Sequence, residues 1–164
     1  MSPATATGTG QPWRARLAGY AHLPAVREIP AALRARRGEG TIAIPSPREV
    51  EAIMRRVPAG WLTTVYGIGE QTAARHGATI GCTVTTAIFA RMVAQAADED
   101  ERAGLPEVTP YWRTLKSDGE INTGYPGGIA RQMHRLEAEG HTVVQRGKRF
   151  FVQDFQWKLA KHAA

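Results

Sequence analysis

The sequence predicts a mainly α-helical domain with one small β-hairpin near its C-terminal end. Three observations carry this. A helix start is written at Ser46-Pro47-Arg48-Glu49, apolar residues recur at helical spacing through 83–97 and 129–136, and two β-rich runs flank Gly147-Lys148. With 164 residues, 43% hydrophobic and 22% charged, the chain suits one globule able to bury a core. No apolar run approaches the ~20 residues of a membrane span and no signal-peptide core is visible, so no membrane partner and a cytoplasmic location are expected.

The chain divides into a tail over residues 1–11, a basic extension over 12–45 and a folded domain over 46–164. The tail is rich in Ser, Thr, Ala, Gly and Pro, carries no charged side chain and is expected to be disordered. The extension sets Arg14, Arg16, Arg27, Arg34, Arg36 and Arg37 against Glu28, and Pro24 and Pro30 cut it into short pieces. It reads either as an arm that touches phosphates or as a solvated extension anchored by Trp13, Leu17 and Tyr20.

In the domain, Ser46 is an N-cap, Pro47 the first helical residue and Glu49 the closing residue of a capping box. Val50, Ile53, Met54 and Val57 share the apolar face of this helix, and Pro58-Ala59-Gly60 ends it. Residues 62–65 read as a short extended piece before a helix of about two turns that stops at His76-Gly77. The next helix runs from Thr83 or Thr85 to about Ala97. Its expected buried stripe is Val84, Ile88, Met92 and Ala96 with Phe89 and Val93. Thr86, Ala87, Ala90, Arg91 and Ala94 are then left as a surface of small residues bearing one arginine. Such a surface fits close approach to a DNA groove, or merely reflects helix propensity. The acidic run Asp98-Glu99-Asp100-Glu101 opposes the helix dipole and is expected to point to solvent, away from any DNA.

Thr109-Pro110 is expected to lead rigidly into a short strand that aims Tyr111 and Trp112 in opposite directions, one towards a cleft. Gly127-Gly128 open a last helix over Ile129, Met133 and Leu136, with Arg131, His134 and Arg135 outside and Gly140 as its stop. The hairpin pairs 142–146 with 149–152, and its tip is cationic, as in the wing of a winged helix or as on an edge protected by charge. Phe155, Trp157 and Leu159 are expected to dock the C-terminal segment.

The net charge of +6 favours a polyanionic partner. Cys82 is the only cysteine, so there is no internal disulfide, and the five histidines lack metal spacing. No cofactor and no metal are expected.

The run from 110 onward resembles a known family. Pro110-Tyr111-Trp112-Arg113-Thr114, Ser117-Asp118-Gly119, Tyr125-Pro126-Gly127-Gly128 and Leu136-Glu137-Ala138-Glu139-Gly140 keep the order of the Pro-Cys-His-Arg-Val box, turn, Tyr-x-Gly-Gly and Glu-Gly segments of the O6-alkylguanine-DNA alkyltransferases. Upstream, Val57-Pro58-Ala59-Gly60 is similar to the family's Ile-Pro-x-Gly, and 90–96 to its Ala-Arg-Ala-Val-Gly-Gly-Ala. The resemblance covers about residues 48–140 and favours the alkyltransferase-like branch that lacks the reactive cysteine. Tyr111 stands at the cysteine position and Trp112 at the histidine position; only Glu139 matches the relay. The family's tyrosine falls on Val65, with Tyr66 one place late.

The resemblance implies a winged helix-turn-helix-like domain that binds double-stranded DNA in the minor groove. Arg91 matches an arginine finger that replaces a flipped base. Tyr111, Trp112, Arg113, Tyr125 and Glu139 match the lesion pocket, and Thr86, Ala87, Ala90, Ala94, Gly127 and Gly128 belong to the DNA-facing set. A phenol with pKa near ~10 and no base beside it is a poor alkyl acceptor, so the expected function is non-enzymatic recognition of alkylated guanine or similar bases. A protein of a repair pathway is a candidate partner, and a nucleoid association is expected on DNA. Two alternatives stay open: a winged-helix binder that flips no base, and reuse of the pocket for a small ligand or reaction by Tyr111, Glu139 or Cys82.

Overall fold

In the computed structural model, which describes residues 11–161, five helices and seven short strands surround one long helix, α5, Thr83–Arg102. Apart from Gln11, the tail expected over residues 1–11 lies outside the described residues.

Prolines divide the N-terminal extension as expected, into α1 (Trp13–Leu17), β1 (Ala25–Glu28), α2 (Ala31–Arg37) and β2 (Thr41–Ile44). These pieces are bound to the body. Leu17 is buried in the main core, and the Tyr20 ring meets Phe89 edge-on at 4.8 Å. Arg14 donates to Glu51 and to Asp100 at 2.7 and 2.6 Å. β1 pairs antiparallel with β2, and β2 runs parallel to β4 (Ile80–Gly81).

α3 (Pro47–Arg55) starts as its sequence specifies. Ser46 Oγ accepts from the Glu49 amide at 3.2 Å, and the Glu49 carboxylate accepts from the Ser46 amide at 2.9 Å. Val50, Ile53, Met54 and Val57 are all buried. β3 (Thr63–Thr64) leads into α4 (Val65–His76), capped by Thr64 Oγ1 and ended by Gly77 at φ 64°; it is longer than the two turns expected. The connection to α5 passes close to α4: a Cβ on Gly81 would lie 2.1 Å from the Gly69 carbonyl oxygen.

The face assignment of α5 is corrected. Val84 and Ile88 are 70% and 51% exposed, whereas Thr86, Ala90 and Ala94 are fully buried. Because α5 packs against α1, α3 and α4 together, close helix approach selects small side chains for the inside. Phe89, Met92, Val93 and Ala96 of the expected stripe are buried, and the small residues join them inside while Val84 and Ile88 lie outside. The acidic run is corrected as well. Asp98 is buried, accepting from Arg131 at 2.8 Å and Arg102 at 2.9 Å, and Glu99 accepts from the Trp13 amide. Glu101 takes Arg135 at 2.6 Å, so Arg131 and Arg135 do not face outward as expected.

Residues Tyr111–Arg113 form a single 3-10 turn, and the strand expected there begins later, as β5 (Thr114–Leu115), parallel to β3. Pro110 starts this turn, and the Arg113 amide bonds back to its carbonyl. α6 (Gly128–Ala138) precedes the hairpin β6 (Val143–Arg146) and β7 (Arg149–Val152). A second core of Leu62, Leu115, Ile121, Leu136 and Val152 lies beneath them. Phe155 docks on this core as expected, while Trp157 is 80% exposed and Leu159 is only partly covered. Among the described residues no helix is long and apolar enough to cross a membrane.

Candidate nucleic-acid interface

Val84, Ile88 and Arg91 lie three or four residues apart, so they share one side of α5, and all three are exposed. Beside them a cavity of about 470 Å³ opens between α5 and the loop 116–124. α5 contributes Thr83, Val84, Ala87 and Arg91; Val65 comes from α4; Lys116, Ser117, Asn122, Thr123 and Gly124 complete the wall. Among the described residues its charged lining is Arg91 and Lys116, without a carboxylate.

The loop is held in register by local bonds. Asn122 Oδ1 accepts from the Gly124 amide at 2.9 Å. The fully buried Gln132 accepts from the Asn122 amide and donates to the Trp112 carbonyl, both at 3.1 Å. Glycine at 124 leaves room for Arg91, since a Cβ there would lie 2.5 Å from Arg91 Nε. Arg149 ties the hairpin to the same loop through Asp118 at 2.6 Å and Glu120 at 2.7 Å.

The residues matched to the lesion pocket do come together, but as a packed cluster. Tyr111 meets both Trp112 and Tyr125 edge-on at 5.5 Å. Tyr111 and Tyr125 are 1% and 3% exposed, so neither ring opens onto a cleft. A tyrosine needs far more room than a cysteine, and its ring occupies the space the smaller residue would leave. Neither of these two hydroxyls has a hydrogen-bond partner among the described residues. Burial raises the Tyr111 phenol, with Arg135 and Arg131 opposing, and raises Tyr125 further, with Arg91 and neighbouring Asn122 opposing.

Trp112 is half-buried beneath Arg135, whose guanidinium lies 4.5 Å from the indole centroid. Its Nε1 donates to Glu139 at 3.0 Å. Arg113 donates to Glu139 and, at 2.7 Å, to the Val57 carbonyl, a structural role. Burial works to raise the Glu139 carboxyl, but bonds from Arg113, Trp112 and the Gly60 amide outweigh it and hold the group below the usual range. Glu139 is thus a fully engaged acceptor.

Of the DNA-facing set, Arg91 and Ala87 border the cavity, while Thr86, Ala90 and Ala94 are sealed inside. Gly127 and Gly128 lie at the start of α6, outside the cavity wall, with Gly127 against the Arg131 stem. Val65 occupies the cavity side and Tyr66 turns away, 45% exposed, to a neighbouring cavity. Cys82 is half-buried, with its thiol donating to Thr85 Oγ1 at 3.1 Å, and it does not line the larger cavity. Among the described residues no three His, Cys, Asp or Glu side chains gather as a metal set.

Sequence reasoning missed Val84, Ile88, Gln132 and the 122–124 loop. The polar run before Tyr125 marks a turn, but nothing local connects it to Arg91.

No family model matches this chain, and no curated protein is significantly similar to it. Among solved structures it is similar to S. pombe Atl1 in complex with damaged DNA containing O6-carboxymethylguanine, at 18% identity and TM-score 0.48, covering 71% of this chain and 94% of that one. It is also similar to S. pombe ATL in complex with DNA, at 20% identity and TM-score 0.46, with the same two coverages.

Proposed function

We propose that this protein is a non-enzymatic reader of altered bases in duplex DNA, with α4 and α5 as a helix-turn-helix and β6–β7 as its wing. The observation that carries this reading is the cavity beside Arg91, walled by an exposed helix face and bearing the charges of Arg91 and Lys116. Its volume falls in the ~300–1,000 Å³ range of small-molecule sites, enough for an extruded base. Val84 and Ile88 supply the apolar contact a minor groove accepts, and Arg91 can stack or pair with phosphate once a base has left the helix.

Recognition without reaction fits the same lining, which offers hydroxyls but no thiol, imidazole or carboxylate to activate them. Tyr111, at the position where the related enzymes carry cysteine, is enclosed and its phenol is pushed further from ionisation. Extruding a base costs a few kcal/mol, least for a damaged one, so preference for damage follows from the step itself.

Closure of the aromatic cluster favours one second reading, a winged-helix binder that flips nothing. Titration of labelled duplexes with and without O6-alkylguanine, for the native protein and Arg91→Ala, separates the two. The proposal expects tighter binding to the altered duplex and loss of that preference in the variant. Equal affinity for both duplexes leaves the second reading, and no binding at low salt removes both.

A further inference from the structure

We infer that the β1–α2–β2 unit carries a second phosphate contact at the end of α2, where Arg36 and Arg37 hold the backbone of the duplex that α5 engages. The inference rests on the DNA-binding reading of α5 and extends it to a part of the chain that the motif resemblance does not include.

Three observations carry it. The unit is registered on the connection between α4 and α5: Ile42 and Ala43 pair with Ile80 and Gly81, the Thr79 amide donates to the Thr41 carbonyl at 3.0 Å, and the Cys82 amide donates to the Ala43 carbonyl at 2.9 Å. A Cβ on Gly40 would lie 2.2 Å from Thr79 Oγ1, so the return from α2 is pressed against that connection. The end of α2 is therefore fixed relative to the start of α5.

Next, Arg37 lines a cavity of about 250 Å³ together with Tyr66 and Thr83, and Thr83 also lines the larger cavity beside Arg91. The first residue of α5 thus borders both cavities. Glu70, the carboxylate of the smaller cavity, raises the Tyr66 phenol while Arg37 lowers it, so both charges reach that ring.

Finally, the cations differ in what already holds them. Arg34 donates to the Ile29 carbonyl at 3.1 Å and lies 3.8 Å from Glu28. Arg36 and Arg37 have no ion-pair partner among the described residues, and Arg36 is exposed. Guanidinium forks suit phosphate oxygens, and each phosphate neutralised releases counterions, which makes the contact measurable through salt.

The test is a salt titration of full-length native protein, Arg36→Ala/Arg37→Ala, Arg36→Lys/Arg37→Lys and Arg27→Ala/Arg48→Ala on plain and O6-alkylguanine duplexes. Arg27 and Arg48 are exposed and lie outside α2, so they control for the loss of two surface charges as such. The alanine pair is expected to lower the magnitude of the log Kd against log salt slope by roughly 1–2, at ~0.9 per contact, and to weaken both duplexes alike. The lysine pair keeps most of the slope, which also covers any folding defect in the alanine pair. A native slope in the alanine pair, or an equal loss in Arg27→Ala/Arg48→Ala, overturns the inference while native binding persists. Absence of native duplex binding removes the reading of α5 itself.

Discussion

Arg113 grips Glu139 with two nitrogens, Nε at 2.9 Å and Nη2 at 2.8 Å, and both side chains are only 14% exposed. Arg113 also reaches the Val57 carbonyl, so the pair joins the end of α6 to the segment after α3. Glu139→Gln is expected to cost about 2–4 kcal/mol, near the lower end for breaking a buried pair because some solvent reaches it. The folded pKa of Glu139 lies below its unfolded value. Its contribution is therefore present above about pH 4.3 and is lost as pH falls through the folded value. Urea melts of native protein and variant should differ at pH 7, and the gap should shrink as pH falls below about 4.3; a constant gap would refute the linkage.

Asp98 holds Arg131 and Arg102 from a side chain that is 7% exposed. Asp98→Asn removes the charge those guanidinium groups are bonded to, with an expected cost of about 1–3 kcal/mol. Were the acidic run instead a free surface repelling phosphate, the same change would tighten DNA binding and leave stability alone. Thermal melts and a duplex titration on one variant decide between a clamp and a repulsive patch.

The corrected face of α5 gives a paired test. Ala90 is fully buried, so Ala90→Leu overpacks the helix contact and should destabilise by about 1–3 kcal/mol. Ile88 is 51% exposed, so Ile88→Asp should change stability by no more than about 0.5 kcal/mol. In the proposed interface a carboxylate there would face phosphate and should weaken duplex binding about tenfold, ~1.4 kcal/mol. Normal binding by Ile88→Asp would take α5 out of the interface.

That reversal also shows which parts of the molecule were legible beforehand. The capping box at Ser46–Glu49, the Gly77 stop and the hairpin around Gly147 are local, and each was readable from a few neighbouring residues. α5 packs on three sides, so Ala90 and Ala94 mark close approach while Val84 and Ile88 are left outside and Val93 stays buried, which no periodicity reveals. The grouping of Tyr111, Trp112, Arg113, Tyr125 and Glu139 followed from motif order, yet whether the group was hollow depended on ring packing. The cavity wall at 122–124 is set by Gln132, a buried amide whose partners lie ten and twenty residues away.

Two glycines separate fold from recognition. A Cβ on Gly81 would lie 2.1 Å from the Gly69 carbonyl oxygen and 2.4 Å from its carbon, both backbone atoms. Gly81→Ala must therefore push α4 away from β4, at an expected cost of about 3 kcal/mol or more. A Cβ on Gly124 meets instead the end of Arg91, at 2.5 Å from Nε and 2.8 Å from Cζ, and that side chain can swing aside. Gly124→Ala should melt within about 0.5 kcal/mol of the native protein. Its methyl group narrows the cavity and displaces the arginine proposed to fill the vacated stack, so preference for the altered duplex should fall towards parity while plain-duplex affinity holds. Retained preference in a stable Gly124→Ala protein would mean that neither the resting position of Arg91 nor the 124 wall takes part in reading the base.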